Sequence, residues 1–283
     1  MTLSFKPDFK DKVVVVTGGA GVLGGYFCEA LAACQAKVAI LDLNEEVAQK
    51  LAHELVEKGY QAIGVKCNVL EKASIEEAKA HVNQQFGSVD ILINGAGGNS
   101  PKATTDVEFF DEASFKDPER KSFFDLDLNG FNFVFGLNFT GTLLPTQVFG
   151  TDLLGKSGAC ILNVSSMNAY TPLTKIPAYS AAKAAVSNFT QWLAVHFAKE
   201  GIRVNAIAPG FFSTAQNKAL LWNADGTPTS RSHKILNNTP MGRYGEPEEL
   251  LSTLLWLLDS KGASFVTGIV VPVDGGFSAY SGV

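Results

Sequence analysis

The sequence predicts one doubly wound α/β domain built on a parallel sheet, with seven strands expected and helices on both faces. Three observations predict it. Short β-branched runs alternate with helical patterns along the 283 residues, the rhythm of strand–helix–strand crossovers. Several strands read as continuous apolar runs rather than alternating ones, which marks burial on both faces. The first run passes straight into a cluster of glycines and then a helix. No repeat or low-complexity linker divides the chain, so a single domain over residues 1–283 is expected.

In chain order, Lys12 to Thr17 (KVVVVT) is the first strand. Gly18-Gly19-Ala20-Gly21-Val22-Leu23-Gly24 follows, and a helix is expected from Tyr26 to Cys34. Glycines there let the backbone approach a pyrophosphate, whose charge the helix N-terminus meets. Gly19-x-Gly21-x-x-Gly24, set between a buried strand and a helix, has the spacing of a Rossmann-type dinucleotide cradle. The next strand, Lys37 to Leu41, ends at Asp42. A carboxylate there accepts hydrogen bonds from adenosine ribose hydroxyls and repels a 2′-phosphate. Its bland alternative is a helix cap, a job that Asn44 can take instead.

A helix from Glu45 to Lys58, a strand from Ala62 to Cys67, a helix from Ser74 to Phe86 and a strand from Val89 to Asn94 come next. The fourth strand closes in Asn94-Gly95-Ala96-Gly97-Gly98, small residues suited to a backbone passing close to a ligand. Residues 99–122 form a long polar and aromatic insertion, and residues 211–235 a second irregular segment. Loops of this length in a compact domain are usually functional or disordered. Between them, a helix expected from Asn132 to Leu154 carries Asn138 among Phe133, Phe135, Leu137 and Phe139. A polar side chain in such surroundings must find partners.

The run Ala159 to Val164 ends in Ser165 and Ser166. Beyond a Pro-containing loop, Tyr179 and Lys183 stand one helical turn apart at the start of a helix from Ala178 to Lys199. A hydroxyl, a phenol and an ammonium group meeting on one face can move a proton on and off a carbonyl oxygen. Taken alone, Tyr-x-x-x-Lys more often marks a packed tyrosine beside a surface lysine; the motifs around it decide otherwise. A strand from Ile202 to Ala208 ends at Pro209-Gly210. A helix from Glu248 to Leu258 and a strand from Gly268 to Val273 finish the sheet.

Charge and cysteine usage narrow the partners. Acidic residues outnumber basic ones 28 to 23 and no Lys/Arg stripe forms, which argues against nucleic acid and anionic membranes. The opening MTLSFKPDFKDK lacks an apolar signal core, and no apolar run reaches the length of a membrane span. Cys28, Cys34, Cys67 and Cys160 have no metal-ligand spacing and read as reduced core residues. A cytoplasmic protein without a metal is expected.

In this order the motifs resemble the short-chain dehydrogenase/reductase family, from Lys12 to Phe277. Ser166 precedes Tyr179 by thirteen residues, the family's usual interval, so Ser166 rather than Ser165 is the candidate catalytic serine. The resemblance implies Asn138, Ser166, Tyr179 and Lys183 as the catalytic set and NAD(H) as the cofactor. It implies cofactor contacts from Gly18, Gly21, Val22, Leu23, Gly24, Asp42, Asn68, Val69, Asn94, Ala96, Gly97, Tyr179, Lys183, Pro209, Gly210, Phe212 and Thr214. Val22 stands where the family has its middle glycine, Asn68 where it has an aspartate, and Gly95 where it has a second asparagine. Lys183 and an oxidised nicotinamide are expected to bring the Tyr179 phenol towards neutrality, a shift that needs about 4 kcal/mol. Relatives of this kind assemble as homotetramers, and that state is expected here.

Residues 94–99, the insertion and residues 135–142 resemble the D-mannonate oxidoreductase (fructuronate reductase) branch, which implies a sugar-acid ketone as substrate. Candidate contacts are Lys102, placed first, Lys175 and Arg231 for a carboxylate, and Asn99, Ser100 and Asn168 for hydroxyls. Two other readings compete: a reductase of another polyol, keto-sugar or 3-oxoacyl thioester, and a non-catalytic NAD-binding sensor. The sensor reading predicts a broken Ser/Tyr/Lys set, and the set is intact.

Overall fold

The computed structural model describes residues 3–214 and 221–282. Seven strands form one parallel sheet in the order β3-β2-β1-β4-β5-β6-β7. They are β1 (Val13–Thr17), β2 (Lys37–Asp42), β3 (Gln61–Lys66), β4 (Ile91–Asn94), β5 (Cys160–Val164), β6 (Arg203–Pro209) and β7 (Val270–Val273). The order reverses between β1 and β4, so the crevice for a ligand opens at their carboxyl ends. All of β1 and β6 is buried, β1 as its apolar run requires and β6 with Arg203 and Asn205 donating to the main-chain oxygens of Leu257, Leu258 and Val266. Two apolar clusters cover the two faces, one centred on Phe27, Leu31, Ile40 and Leu254, the other on Ile75, Leu92, Phe149 and Ile161.

The flanking helices among the described residues are α1 (Val22–Ala33), α2 (Glu45–Glu57), α3 (Lys72–Phe86), α4 (Glu112–Lys116), α5 (Leu128–Phe135), α6 (Gly141–Leu153), α7 (Pro177–His196), α8 (Ser230–Asn237) and α9 (Leu251–Leu258). The first of these and the helix expected from Asn132 to Leu154 differ from expectation in ways that matter. Helix α1 starts at Val22, four residues earlier than Tyr26, because the end of the glycine motif is itself the first helical turn. The helix expected from Asn132 to Leu154 begins at Leu128 and is broken by a π turn, Gly136–Thr140. The Asn138 amide donates to the main-chain oxygens of Val134 at 2.8 Å and Gly98 at 2.7 Å, wedging a side chain into the helical ladder.

The insertion is not structureless either. Pro101–Ala103 and Phe123–Asp125 are 3₁₀ turns, and Asp111 caps α4. The segment after β6 is helical from Ser230 onward, with Thr229 as its cap. Residues 215–220 of the segment expected to be irregular lie outside the described residues.

Candidate active site

The main cleft, about 730 Å³, opens at the carboxyl ends of β1, β2, β4, β5 and β6. At one end lies the glycine turn. Helix α1 has Gly21 as its N-cap and no side-chain cap, so the first-turn amides of Val22, Leu23 and Gly24 are left as donors where those residues line the cleft. Gly18 adopts φ 63°, and a Cβ there would stand 2.8 Å from Ala96 Cα. The Thr17 hydroxyl accepts from the amides of Gly95 and Ala96 at 3.1 and 3.3 Å, pinning the β4 loop beside the turn.

Asp42 accepts from the Ala20 amide at 3.2 Å and from the Asn44 amide at 3.1 Å, while its residue lines the cleft. Asn44, not Asp42, caps α2. Asn68 and Val69 also line this end, and the Asn68 side chain is held by Glu71 and by the Leu70 amide. Gly97, Pro209, Gly210, Phe212 and Thr214 continue the lining toward the other end. A long cleft with uncapped helix amides, a carboxylate and a close-packed glycine wall fits a dinucleotide.

One expected cofactor residue is corrected. The Asn94 side chain turns into the core, where its amide donates to Thr146 Oγ1 at 3.0 Å and Asn163 Oδ1 at 2.8 Å. It ties β4 to β5 and α6 and does not line the cleft.

Ser166, Tyr179 and Lys183 line the cleft together. The Ser166 hydroxyl is hydrogen-bonded to the Tyr179 hydroxyl, and it also accepts from the Asn168 amide at 3.3 Å. Ser165 is a different kind of residue. Its hydroxyl joins Ser187 Oγ at 2.7 Å and the Lys183 main-chain oxygen at 3.1 Å, stapling the end of β5 to α7. The Lys183 ammonium donates to the Val164 oxygen at 2.8 Å and lies 5.6 Å from the Tyr179 ring centroid. Asn138 closes this corner by accepting from the Gly98 amide at 3.2 Å through the same side chain that donates to the Gly98 oxygen.

Burial pushes the Lys183 ammonium down to about 8 and pushes the Tyr179 phenol up, the Ser166 hydrogen bond partly offsetting the latter. Burial by the protein thus works against ionisation of the phenol, and the downward shift expected for it needs the charge of an oxidised nicotinamide as well as Lys183. It sets the phenol's hold on its proton well above that of the ammonium.

The substrate candidates separate. Lys102 is exposed, lines neither this cleft nor its neighbour, and packs its Cβ side against Gly130. Asn99 donates its amide to Thr104 Oγ1, and Ser100 caps the Pro101–Ala103 turn. Asn168 is buried with its Oδ1 unpartnered. Lys175 and Arg231, by contrast, come together in an adjacent cavity with two charged residues the sequence did not single out, Glu108 and Lys234. A signal for Lys234 was present: it follows Arg231 by three residues on one helix face behind a threonine cap. Glu108 had none. Among the described residues no cluster could hold a metal ion, and no helix is long and apolar enough to cross a membrane.

Known proteins agree with this geometry. The family model for short chain dehydrogenase matches residues 12–224. An "uncharacterized oxidoreductase" of Haemophilus influenzae is 57% identical over 285 residues, covering 100% of this chain and 99% of that protein. A crystal structure from Haemophilus influenzae, of a protein provisionally named a D-mannonate oxidoreductase and holding NAD, superposes with a TM-score of 0.94. It is 58% identical and covers 98% of both chains. The 5-keto-D-gluconate 5-reductase of Escherichia coli K12 is 29% identical over 94% of each chain. A match of this extent, on a sheet and a Ser/Tyr/Lys corner that already point the same way, means that the chain belongs to the short-chain dehydrogenase/reductase family and is an oxidoreductase acting on CH–OH groups.

Proposed function

We propose that this oxidoreductase uses NAD(H) to interconvert D-fructuronate and D-mannonate, and that it works as a homotetramer in the cytoplasm. The observation that carries the reaction is the Ser166–Tyr179 hydroxyl pair beside a buried Lys183, next to a cavity lined by cations. The Haemophilus structure bears NAD and a sugar-acid name, and the Escherichia coli relative is named for a keto sugar acid. Both support this substrate class.

The bound nicotinamide supplies the hydride in reduction and accepts it in oxidation. Ser166 holds the substrate oxygen, which becomes an alkoxide. The Tyr179 hydroxyl gives that oxygen its proton, and in the reverse direction takes it back. Lys183, whose ammonium lies 5.6 Å from the Tyr179 ring centroid, binds the nicotinamide ribose and favours the tyrosinate in the oxidative direction. Asn138 fixes the Gly97-Gly98 backbone that forms the wall beside Lys183. Asp42 selects NAD(H), since a 2′-phosphate would meet its charge and no Lys or Arg lies among residues 17–25 or 38–46.

The test is NADH oxidation with D-fructuronate, against NADPH and against Tyr179→Phe. NADH should be preferred at least about tenfold in kcat/KM. Tyr179→Phe should lose about 100-fold or more in turnover while still binding NADH, because the ring stays and the proton goes. A variant that kept more than a few per cent of activity would remove Tyr179 from the role of acid.

A further inference from the structure

The cavity beside the cofactor cleft has a volume of about 530 Å³ and is built from segments that also carry the chemistry. The loop between Ser166 and Tyr179 contributes residues 171–175. Phe211, whose neighbour Phe212 lines the cofactor cleft, forms part of another side. Helix α8 contributes Arg231 and Lys234, and the insertion contributes Glu108.

Charge sorts these residues. Three cations face one carboxylate. Both Glu108 oxygens accept from the Lys234 ammonium, at 2.8 and 2.9 Å. That hydrogen bond, aided by the fields of Lys175 and Arg231, holds the Glu108 carboxyl below its usual range. Among the described residues, neither Lys175 nor Arg231 pairs with a carboxylate at contact distance. Glu108 therefore occupies Lys234 and leaves two cations to the cavity.

Lys175 also carries backbone strain. Its φ of 71° is left-handed, a region that non-glycine residues seldom adopt. Its main-chain oxygen accepts from the Thr105 amide at 2.9 Å, so the insertion is fastened to the catalytic loop at this residue. A glycine would sit there at lower cost, yet a lysine stands on the cavity wall. Strain of this kind persists where surroundings over-determine it, and it clusters at ligand sites.

We propose that this cavity is the carboxylate subsite of the substrate cleft, where Arg231 and Lys175 hold the carboxylate and Glu108, by occupying Lys234, restricts the subsite to one negative charge. The inference rests on the sugar-acid reading of the reaction and names the residues that enforce it. The Arg231 fork matches both carboxylate oxygens, and Lys175 adds a point charge from the loop four residues before Tyr179. A second carboxylate on the ligand would meet Glu108 instead of a free cation.

The experiment uses the full chain with NADH. Arg231→Gln and Lys175→Gly should each lower kcat/KM for D-fructuronate, relative to a neutral ketohexose, about 10-fold or more. Lys175→Gly should at the same time be no less stable to heat than wild type, because it relieves the left-handed strain; a purely structural lysine would not show that split. Glu108→Gln should raise the affinity of the NADH complex for galactarate, a six-carbon dicarboxylate, relative to D-mannonate by about 10-fold. If wild type reduces D-fructuronate and neither cation substitution changes the ratio, the subsite is overturned and the reaction stands. If wild type does not reduce D-fructuronate, the reaction falls. Calorimetry of D-mannonate against D-mannitol on the NADH complex then decides the subsite alone. Preference for D-mannonate that Arg231→Gln abolishes upholds it, and equal binding of the two overturns it. An unchanged galactarate ratio in Glu108→Gln overturns the counter-charge role.

Discussion

Lys183 shows how one residue's chemistry sets a cost that the fold must carry. It is 4% exposed, and burial lowers its pKa from an ordinary 10.5 to about 8. Below pH 8 both folded and unfolded chains hold the proton, and the fold bears the whole penalty of a desolvated ammonium, about 3 kcal/mol by the size of the shift. Between 8 and 10.5 the unfolded chain keeps the proton and the folded chain releases it. Stability contributed through this residue therefore rises with pH across that window. Lys183→Met removes the titration. Wild type should gain on this variant by up to about 3 kcal/mol between pH 7 and 10.5, measured by urea unfolding at a series of pH values. A difference that stays flat with pH would mean that the ammonium keeps its solvation in the fold.

The glycine turn makes a sharper distinction at the scale of one element. Gly24 and Gly25 are neighbours in the first turns of α1. A Cβ on Gly24 would lie 2.3 Å from the Gly18 oxygen and 2.9 Å from Gly19 Cα, backbone that cannot step aside. A Cβ on Gly25 would meet nothing nearer than Leu51 at 3.8 Å. Gly24→Ala should thus open the turn and weaken NADH binding at least about tenfold. Gly25→Ala should leave binding alone and raise stability by up to about 1 kcal/mol through helix propensity. Fluorescence titration with NADH and thermal melting of the two variants check this, and equal effects would remove the close-approach argument.

The same elements show what could be read beforehand and what could not. Strands β1, β2, β4 and β5 were legible because burial on both faces writes a mainly apolar run into the chain. The proton-transfer corner was legible because Tyr179 and Lys183 are local to one helix and Ser166 ends the neighbouring strand. The π turn was not, because its cause is a contact between Asn138 and Gly98, forty residues away. Asn94 shares its position with cofactor-binding small residues, yet strand alternation points its side chain at Asn163 instead. Lys102 misled for a related reason. It is close to Gly98 in sequence, but the Pro101–Ala103 turn and the packing of its Cβ side on Gly130 keep it out of the cleft. The Glu108–Lys234 pair spans 126 residues between the two long inserted segments, and no periodicity links them.

At the scale of the whole molecule, the remaining question is what covers the outer surface of α5 to α7. A ladder of rings crosses it: Phe135 to Phe139 at 5.8 Å, Phe139 to Phe189 at 5.5 Å, Phe189 to Trp192 at 6.2 Å and Trp192 to His196 at 4.6 Å. Along the same helices Phe133 and Trp192 are about half exposed and Val195 is 81% exposed. Trp192 and Val195 are three residues apart and share a face of α7. An isolated soluble chain seldom leaves so continuous an apolar stripe in water, whereas symmetric copies can bury it against itself. Light scattering at micromolar concentration should therefore report four times the 30.2 kDa of one chain. Val195→Asp places a charge where a monomer has solvent and an assembly has a dry contact, so it should dissociate the oligomer while the isolated chain keeps its helical content by circular dichroism. A wild-type protein that scattered as a single chain would show that the stripe is tolerated in water, and the tetramer would fall with it.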